Sequence, residues 1–285
     1  MHLNVVPART GFAWARKGVR TFWRQPMALT GLFILFLAML STMAIVPVVG
    51  FLLALILMPA ATLGLMAAAR DADAGRRARP AALFAAFRAG PAYARQMLLL
   101  GVLYAGSFVV MLAVSALFDG GQFALGYVSG SRSANDMMSN PAAQMAMWVT
   151  LLLYMPLSML FWHAPALVFW YRISPSKSLF FSFVACIRNL GAFTVYALAW
   201  TGIFLLGGLA VGIFTTLLLL TGVVGDSGSA LASAVATGLV TLSALVLVAM
   251  FFTSLYFTFV DCFVHPAPVE GAATDGHAAA PVPAR

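Results

Sequence analysis

Charged residues are scarce in this sequence, and their scarcity decides the class of protein. Only 8% of the 285 residues are charged, while 62% are hydrophobic. A water-soluble domain carries about 25% charged residues and roughly 45–50% apolar ones. The chain therefore has too little polar surface for a fold that water solvates on all sides, and we expect lipid to solvate most of it.

Residues that carry chemistry are also few. The sequence holds eight acidic residues, four histidines and two cysteines. It contains no glycine-rich phosphate loop, no HExxH motif, no paired carboxylates and no Ser/His/Asp set in a supporting context. Cys186 and Cys262 lack the spacing of a metal or redox site and are predicted to be free thiols. We therefore expect no enzymatic activity, no cofactor and no metal, with an enzyme acting on lipids as a minor alternative.

Long apolar runs take the place of these residues. From Met27 to Ala69 no charged residue occurs, and as one helix this run would be about 65 Å long, roughly twice the ~30 Å hydrocarbon core. The run must fold back, and Pro47 and Gly50 mark the turn. The same criterion predicts an all-α integral membrane protein with six transmembrane helices in one domain, 27–264. The predicted spans are 27–44, 47–69, 96–118, 143–171, 191–220 and 231–260.

The positive charges are distributed unevenly between the two sides of this predicted bundle. Lysine and arginine concentrate in segments 1–26, 70–95 and 172–190, while the opposite loops hold only Arg132. Such an asymmetry places the basic segments in the cytoplasm. An even number of spans then puts both termini there, with 265–285 as a disordered tail. We attribute the formal net charge of +8 to topology and to lipid headgroup contacts, and expect no nucleic-acid partner.

Three basic segments have the periodicity of amphipathic helices. In the first, 1–26, apolar side chains recur on one helical face and arginines recur every four residues on another. Similar faces at 83–88 and 179–188 precede the third and fifth spans. We therefore expect three hairpins, each preceded by a cytoplasmic interfacial helix, and hypothesise three parallel copies of one unit. The alternative is that any re-entering chain needs a basic, amphipathic lead-in. The apolar face of the first segment consists of Phe12, Ala15, Val19, Phe22 and Trp23.

These interfacial helices are the predicted binding site for lipid. A helix that lies in the headgroup plane places its aromatic rings at the acyl boundary and its arginines near the phosphates. We hypothesise that the protein binds anionic phospholipids and organises the inner leaflet. The predicted headgroup ligands are Arg16, Arg20, Arg24, Arg88 and Arg188.

The alternative hypothesis is a transporter or channel for a small or lipidic solute, with a site between the second, fourth and sixth spans. His163 is the one ionisable side chain predicted well inside a span, and it could serve a proton path. We favour a structural role for it, in which a neutral imidazole donates to a neighbouring carbonyl. Pro59, Pro156 and Pro165 interrupt spans two and four, as in the broken helices of some transporters.

Asp261, at the end of the sixth span, is expected to pair with an arginine of an interfacial helix or to be solvated.

Small residues predict close helix packing. Ala60, Gly64 and Ala68 repeat every four residues in the second span, and Gly208 and Gly212 form a GxxxG motif in the fifth. Such stripes let helix backbones approach each other. We expect them to act within the chain, and a homo-oligomer is the alternative.

Three stretches of the sequence resemble an uncharacterised family of multi-pass inner-membrane proteins of proteobacteria. They are VVPARTGFAWARKGVRTFWRQP, LMPAATLGLMAAAR and APALVFWYRISPSKSLFFSFVACIRN, which begin at Val5, Leu57 and Ala164. The resemblance covers nearly the whole chain, to about His265. It implies a six-span protein of the bacterial inner membrane and assigns no catalytic or ligand-binding residues.

Overall fold

A computed structural model describes residues 2–46, 48–129, 140–222 and 229–264, and helices form nearly all of this part of the chain. The helices are α1 (Thr10–Arg24), α2 (Pro26–Ala44), α3 (Val49–Asp73), a 3-10 helix (Pro80–Phe84), α4 (Ala85–Arg88), α5 (Pro91–Asp119), α6 (Gln122–Ser129), α7 (Pro141–Trp162), α8 (Ala164–Tyr171), α9 (Pro175–Arg188), α10 (Leu190–Leu220) and α11 (Ala230–Cys262). The strands are β1 (His2–Leu3) and β2 (Phe263–Val264).

Six segments of the described chain are long and apolar enough to cross a membrane, which confirms the predicted all-α, six-span class. They are α2, α3, α5, the pair α7 and α8, α10, and α11. The third span begins at Pro91, five residues before the predicted start at 96. Proline suits the first position of a helix, because its fixed φ is already helical and its missing N–H would have no partner there.

The fourth span covers Pro141–Tyr171, close to the predicted 143–171, and its helix is interrupted before Pro165, one of the prolines that predicted an interruption. Helix α7 ends at Trp162, and α8 begins after His163. Pro165 has no N–H to donate to the carbonyl one turn earlier, so the backbone ladder is weakened here. The hydroxyl of Ser182 enters the gap: it accepts from the His163 N–H at 2.9 Å and donates to the carbonyl of Met159 at 2.7 Å. An inserted side chain of this kind is a recognised cause of a helix break.

Helix α3 is the central span. It contacts α2, α5, α8 and α11, and its second half is almost entirely buried. A Cβ at Gly64 would lie 2.5 Å from the Cα of Leu83 in the 3-10 helix, so only glycine permits this approach. Across the next contact, a Cβ at Gly101 of α5 would lie 1.8 Å from the carbonyl oxygen of Ile56. The stripe that contains Gly64 therefore packs within the chain, as predicted.

The second predicted stripe does not pack within the described chain. No described atom lies within 4 Å of a Cβ built at Gly208 or Gly212 of α10. The neighbouring Gly207 faces α11 instead, where a Cβ would lie 3.1 Å from the side chain of Leu247. The expectation of intramolecular packing is thus wrong for the GxxxG pair, because the face of α10 that meets α11 is one residue away from it.

Helix α1 lies against the bundle, packed on α10 and α11. Its contact face contains two glycines at which a Cβ would overlap the neighbouring helices. At Gly11 it would lie 2.0 Å from the Ala192 carbonyl oxygen, and at Gly18 it would lie 2.2 Å from the Ser254 Cβ. Trp14 lies between these glycines and is completely buried.

The predicted apolar face of α1 is only partly the buried one. Ala15 and Phe22 are buried, but Phe12 and Trp23 are 60% and 63% exposed. The prediction used the positions of the hydrophobic residues alone. In the structure, the face of α1 that packs on the bundle is the one with Trp14 and the two glycines, because the glycines allow close approach. Helix α1 therefore has a face that packs on the bundle and a separate exposed face with aromatic rings.

The basic segments lie together at one end of the bundle, which we call the basic end (residues 2–25, 70–95, 171–189 and 261–264). The Arg172 Nε donates to the hydroxyl of Tyr93 at 2.7 Å, which links the end of α8 to the start of α5. The side chain of Asn189 donates to the carbonyl of Asn4 at 3.0 Å and accepts from the Val6 N–H at 2.8 Å. Each of the three hairpins is preceded here by a short helical element, although the second element is a 3-10 helix followed by the single turn of α4.

Two features were not predicted. β1 pairs antiparallel with β2, His2 opposite Val264 and Leu3 opposite Phe263, so the first and last described segments lie together. Between the third and fourth spans lies helix α6, and Asp119 accepts from the N–H groups of Gly121 and Phe123 at its start. The predicted disordered tail, 265–285, lies outside the described residues.

Candidate functional site

A groove of about 510 Å³ opens at the basic end between α1 and the last turns of α3 and α11. Helix α1 contributes Lys17, Arg20 and Arg24, whose spacing of three and four residues places them on one helical face. Helix α3 contributes Asp73, and α11 contributes Asp261. These five residues define what we call the basic groove. Its three cations and two carboxylates leave one positive charge in excess.

Asp261 is held by α1. The indole N–H of Trp14 donates to its Oδ2 at 2.9 Å, and Lys17 Nζ approaches the same oxygen at 3.4 Å. The prediction offered an arginine partner or solvation. The structure provides a lysine and an indole instead, because the face of α1 that packs on α11 is the one that carries Trp14.

Arg24 is also engaged by the protein. Its Nη1 donates to the carbonyl oxygen and to Oδ1 of Asp73, at 2.8 Å and 3.2 Å. The hydroxyl of Thr21 donates to the same carboxylate at 3.3 Å. These bonds fasten the end of α1 to the end of α3. The guanidinium of Arg24 therefore has fewer donors left for a headgroup than the sequence implied.

Arg20 lies between these two pairs. Its side chain is exposed and lines the basic groove, and among the described residues no hydrogen bond or ion pair engages its guanidinium. All five donors of an arginine are thus directed to the surroundings. Arg20 is the cation of this groove that is open to an external anion.

The structure brings together only two of the five arginines that the sequence proposed. Arg20 and Arg24 share the basic groove, whereas Arg16, Arg88 and Arg188 are exposed elsewhere and do not line it. Arg16 and Arg188 lie on helices that also expose a large aromatic side chain, and Arg88 lies on α4, directly after the 3-10 helix that does so. The aromatic residues are Phe12 on α1, Phe84 at the end of the 3-10 helix and Phe180 on α9.

His163 lies at the break between α7 and α8 and is completely buried. The rings of Phe193, Phe259 and Phe263 surround it, with centroid distances between 5.4 and 5.9 Å. Within the described chain neither ring nitrogen has a hydrogen-bond partner. The imidazole thus does not donate to a carbonyl, contrary to the favoured prediction. Its backbone N–H, bound to Ser182, makes the polar contact instead.

A second cavity is lined by residues of the second, third, fourth and sixth spans. It measures about 360 Å³, and we call it the span cavity. Its position coincides with the site that the transport hypothesis predicted, but His163 does not line it. Pro59 and Pro165 do line it, whereas Pro156 lines a separate groove between α5 and α7. Its aromatic walls are formed by Tyr104, Tyr154, Phe161, Trp162, Phe251 and Phe252.

Sequence reasoning missed the two tyrosines of this cavity. Tyr104 of α5 and Tyr154 of α7 both line it, so their phenols face the same space. Each tyrosine stands near the middle of an apolar helix, and this position was a visible signal in the sequence. Their proximity was not visible, because it depends on how α5 packs against α7.

One known protein resembles the chain over most of its length. It is described as a "probable inner membrane protein" of Burkholderia thailandensis, and it is 39% identical over 267 residues, covering 92% of this chain and 94% of the relative. The chain belongs to the family of this protein. No family model and no solved structure matches the chain.

Membership of this inner-membrane protein family confirms the resemblance noted in the sequence. The match extends over nearly the whole of both chains, so it is not confined to one part of the six-span bundle. The six apolar helices are thus those of a multi-pass protein of the inner membrane.

Proposed function

We propose that this inner-membrane protein binds anionic phospholipid headgroups at the basic end and has no catalytic activity. The observation that carries this proposal is the open guanidinium of Arg20, set between Lys17 and Arg24 in the basic groove. A guanidinium can hold a phosphate through two parallel hydrogen bonds. Lys17 and Arg24 form ion pairs with Asp261 and Asp73, so their main role is to hold the walls of the groove together, and Arg20 is the main ligand for the phosphate.

The exposed aromatic residues of the basic end support the same proposal. Phe12 and Trp23 on α1 and Phe180 on α9 are each at least 60% exposed. Aromatic rings that stand beside arginines are typical of surfaces at the headgroup level. A phospholipid bound at Arg20 would therefore meet a surface suited to the boundary between headgroups and acyl chains.

We propose further that the basic end faces the cytoplasm, because the positive-inside rule and the anionic inner leaflet both favour this orientation. Labelling with a membrane-impermeant maleimide tests it. Ala89→Cys marks the basic end, and Thr221→Cys marks the end of α10 at the opposite side; both positions are exposed. We expect Thr221→Cys to react in spheroplasts and Ala89→Cys to react only after permeabilisation. The reverse pattern would contradict the orientation.

The lipid site is tested by native mass spectrometry of the full-length protein with phosphatidylglycerol and phosphatidylcholine. Replacing Arg20 by Gln should lower the retention of phosphatidylglycerol about fivefold, since one basic residue near an anionic surface contributes about 1 kcal/mol. Retention of phosphatidylcholine should not change. Arg20→Lys, which keeps the charge but loses the fork of donors, should lie between these values.

The matched control is Arg95→Gln, which removes an exposed arginine of the basic end outside the groove. We expect it to have a smaller effect than Arg20→Gln. Equal losses for the two variants would show attraction by net charge alone, and the site at Arg20 would be rejected.

Transport of a lipidic solute is a second candidate, and one observation favours it. The span cavity is lined by the second, third, fourth and sixth spans, which include the three spans named in the transport hypothesis. Proton coupling through His163 has no support, because its side chain is enclosed by aromatic rings away from the cavity. Uptake of a solute into proteoliposomes that is lost when the cavity is filled by Ser158→Phe would support this candidate.

A further inference from the structure

The span cavity lies at membrane depth. Pro59, Tyr104 and Tyr154, which line it, stand near the middle of the apolar segments Val49–Asp73, Pro91–Asp119 and Pro141–Tyr171. Its volume of about 360 Å³ falls near the lower end of the 300–1,000 Å³ range of small-molecule sites. The cavity thus has room for one ring system, and a ligand would reach it from the lipid phase.

The polar groups of the cavity include hydrogen-bond donors for a ligand. Ser158 Oγ donates to the carbonyl of Met155 at 2.7 Å, and Thr62 Oγ1 donates to the carbonyl of Met58 at 3.0 Å, so both serve their own helices. The phenols of Tyr104 and Tyr154 also line the cavity. A phenol hydroxyl both donates and accepts. An O–H of this tyrosine pair can therefore donate to an acceptor on a ligand.

A neighbouring groove has a different, mostly aliphatic lining. It lies between α5 and α7, measures about 570 Å³ and is lined largely by aliphatic side chains such as Val110, Val114 and Leu160. Flexible acyl chains fit such a surface. Half of the residues that line the span cavity are aromatic, and aromatic faces and edges pack best against another planar ring.

We infer that the span cavity binds a lipid-soluble molecule that has a planar ring bearing a carbonyl oxygen. The ring packs against the aromatic walls, among them Trp162 and Phe251, and a hydroxyl of the Tyr104–Tyr154 pair donates to the carbonyl. This inference does not depend on the lipid site at Arg20, which lies at the basic end.

The test uses the full-length protein in lipid nanodiscs and decylubiquinone, an alkylated ring with carbonyl groups, as the probe. Quenching of tryptophan fluorescence reports binding, since Trp162 lines the cavity. Tyr104→Phe and Tyr154→Phe keep the rings but remove a hydroxyl, and each should raise the Kd about two- to tenfold, the usual effect of losing one hydrogen bond. Ser158→Phe fills the cavity and should abolish saturable quenching.

Thr150→Phe is the matched control for Ser158→Phe. Thr150 lies about two turns earlier on α7, its hydroxyl also donates to a carbonyl of its own helix, and it does not line the cavity. This control should bind the probe as the parent does. Equal binding by the parent and Ser158→Phe would overturn the inference, and so would an unchanged Kd in both tyrosine variants. Displacement of the probe by an equal concentration of dodecanol would also overturn it, because the cavity would then be a site for acyl chains.

Discussion

The indole nitrogen of Trp14 donates to the carboxylate of Asp261 over 2.9 Å, although the two residues stand 247 positions apart in the chain. Lys17 adds an ion pair to the same carboxylate, and the pairing of β1 with β2 follows directly beyond it. Helix α1 is therefore an integral part of the bundle and not a detachable anchor. The basic groove is consequently preformed in the lipid-free protein, because the contacts of α1 with α3 and α11 hold its walls in place.

Trp14→Phe should destabilise the protein without unfolding it. The ring remains, but the carboxylate of Asp261 loses one hydrogen bond in a partly buried place, which costs about 1.5 kcal/mol. We expect the melting temperature, followed by circular dichroism in one detergent, to fall by about 2–6 °C. Trp23→Phe alters an exposed indole on the same helix and should leave the melting temperature unchanged. Equal effects of the two substitutions would mean that the bond to Asp261 does not stabilise the fold.

Gly18→Ala should be destabilising even though alanine is the better helix former. The added Cβ would lie 2.2 Å from the Cβ of Ser254, so α1 would have to move away from α11 at a cost of about 1–3 kcal/mol. Gly208→Ala is the matched change in an open place, since no described atom lies within 4 Å of its Cβ position. It should leave stability unchanged or raise it by up to about 1 kcal/mol. A lower melting temperature for Gly208→Ala than for Gly18→Ala would refute this view of the two helix faces.

The spans could be predicted from the sequence because length and hydropathy are local properties of a helix. The uneven distribution of arginines likewise predicted that the basic segments share one end, and the contacts of Arg172 and Asn189 show this directly. Contacts between distant residues could not be predicted in this way. The pairing of Trp14 with Asp261 depends on two glycines that let α1 approach the bundle, and glycine carries no hydrophobic signal.

The same limit applied to both candidate sites. The arginines of α1 were visible as a periodic pattern, but Arg20 stands out from Arg24 only through the contact of Arg24 with Asp73. Two of the three prolines named from the sequence, Pro59 and Pro165, border the span cavity, whereas the tyrosine pair that lines it arises from the packing of α5 against α7. His163 was a candidate for a proton path because it is an ionisable residue inside a span, but aromatic rings enclose its side chain.

Cys186 should be almost inert to maleimide in the folded protein. Burial raises the pKa of its thiol from the ordinary 9.0 to about 12. A raised pKa keeps the thiol protonated at pH 8, and the thiolate is the reactive form. We expect little N-ethylmaleimide at Cys186 at pH 8 by peptide mass spectrometry, and complete reaction after unfolding in dodecyl sulfate. Ala89→Cys introduces an exposed thiol that should react quickly at the same pH. Equal rates at the two positions would contradict the buried, protonated state of Cys186.

His163→Leu should leave the protein as stable as the parent or more stable, whereas Ser182→Ala should weaken it. Within the described chain, the two ring nitrogens of His163 have no hydrogen-bond partner and lie among aromatic rings, so burying them costs desolvation free energy. A leucine of similar volume removes that cost. Ser182 satisfies the His163 N–H and the Met159 carbonyl at the break in the fourth span. Losing it leaves the buried His163 N–H without this partner, at about 1–3 kcal/mol, while the Met159 carbonyl keeps the weaker contact with the Cys186 thiol at 3.7 Å. Melting temperatures in one detergent compare the two variants. If His163→Leu proved the more damaging change, the imidazole would have a polar partner, and the break would depend on the ring of His163 as well as on its backbone.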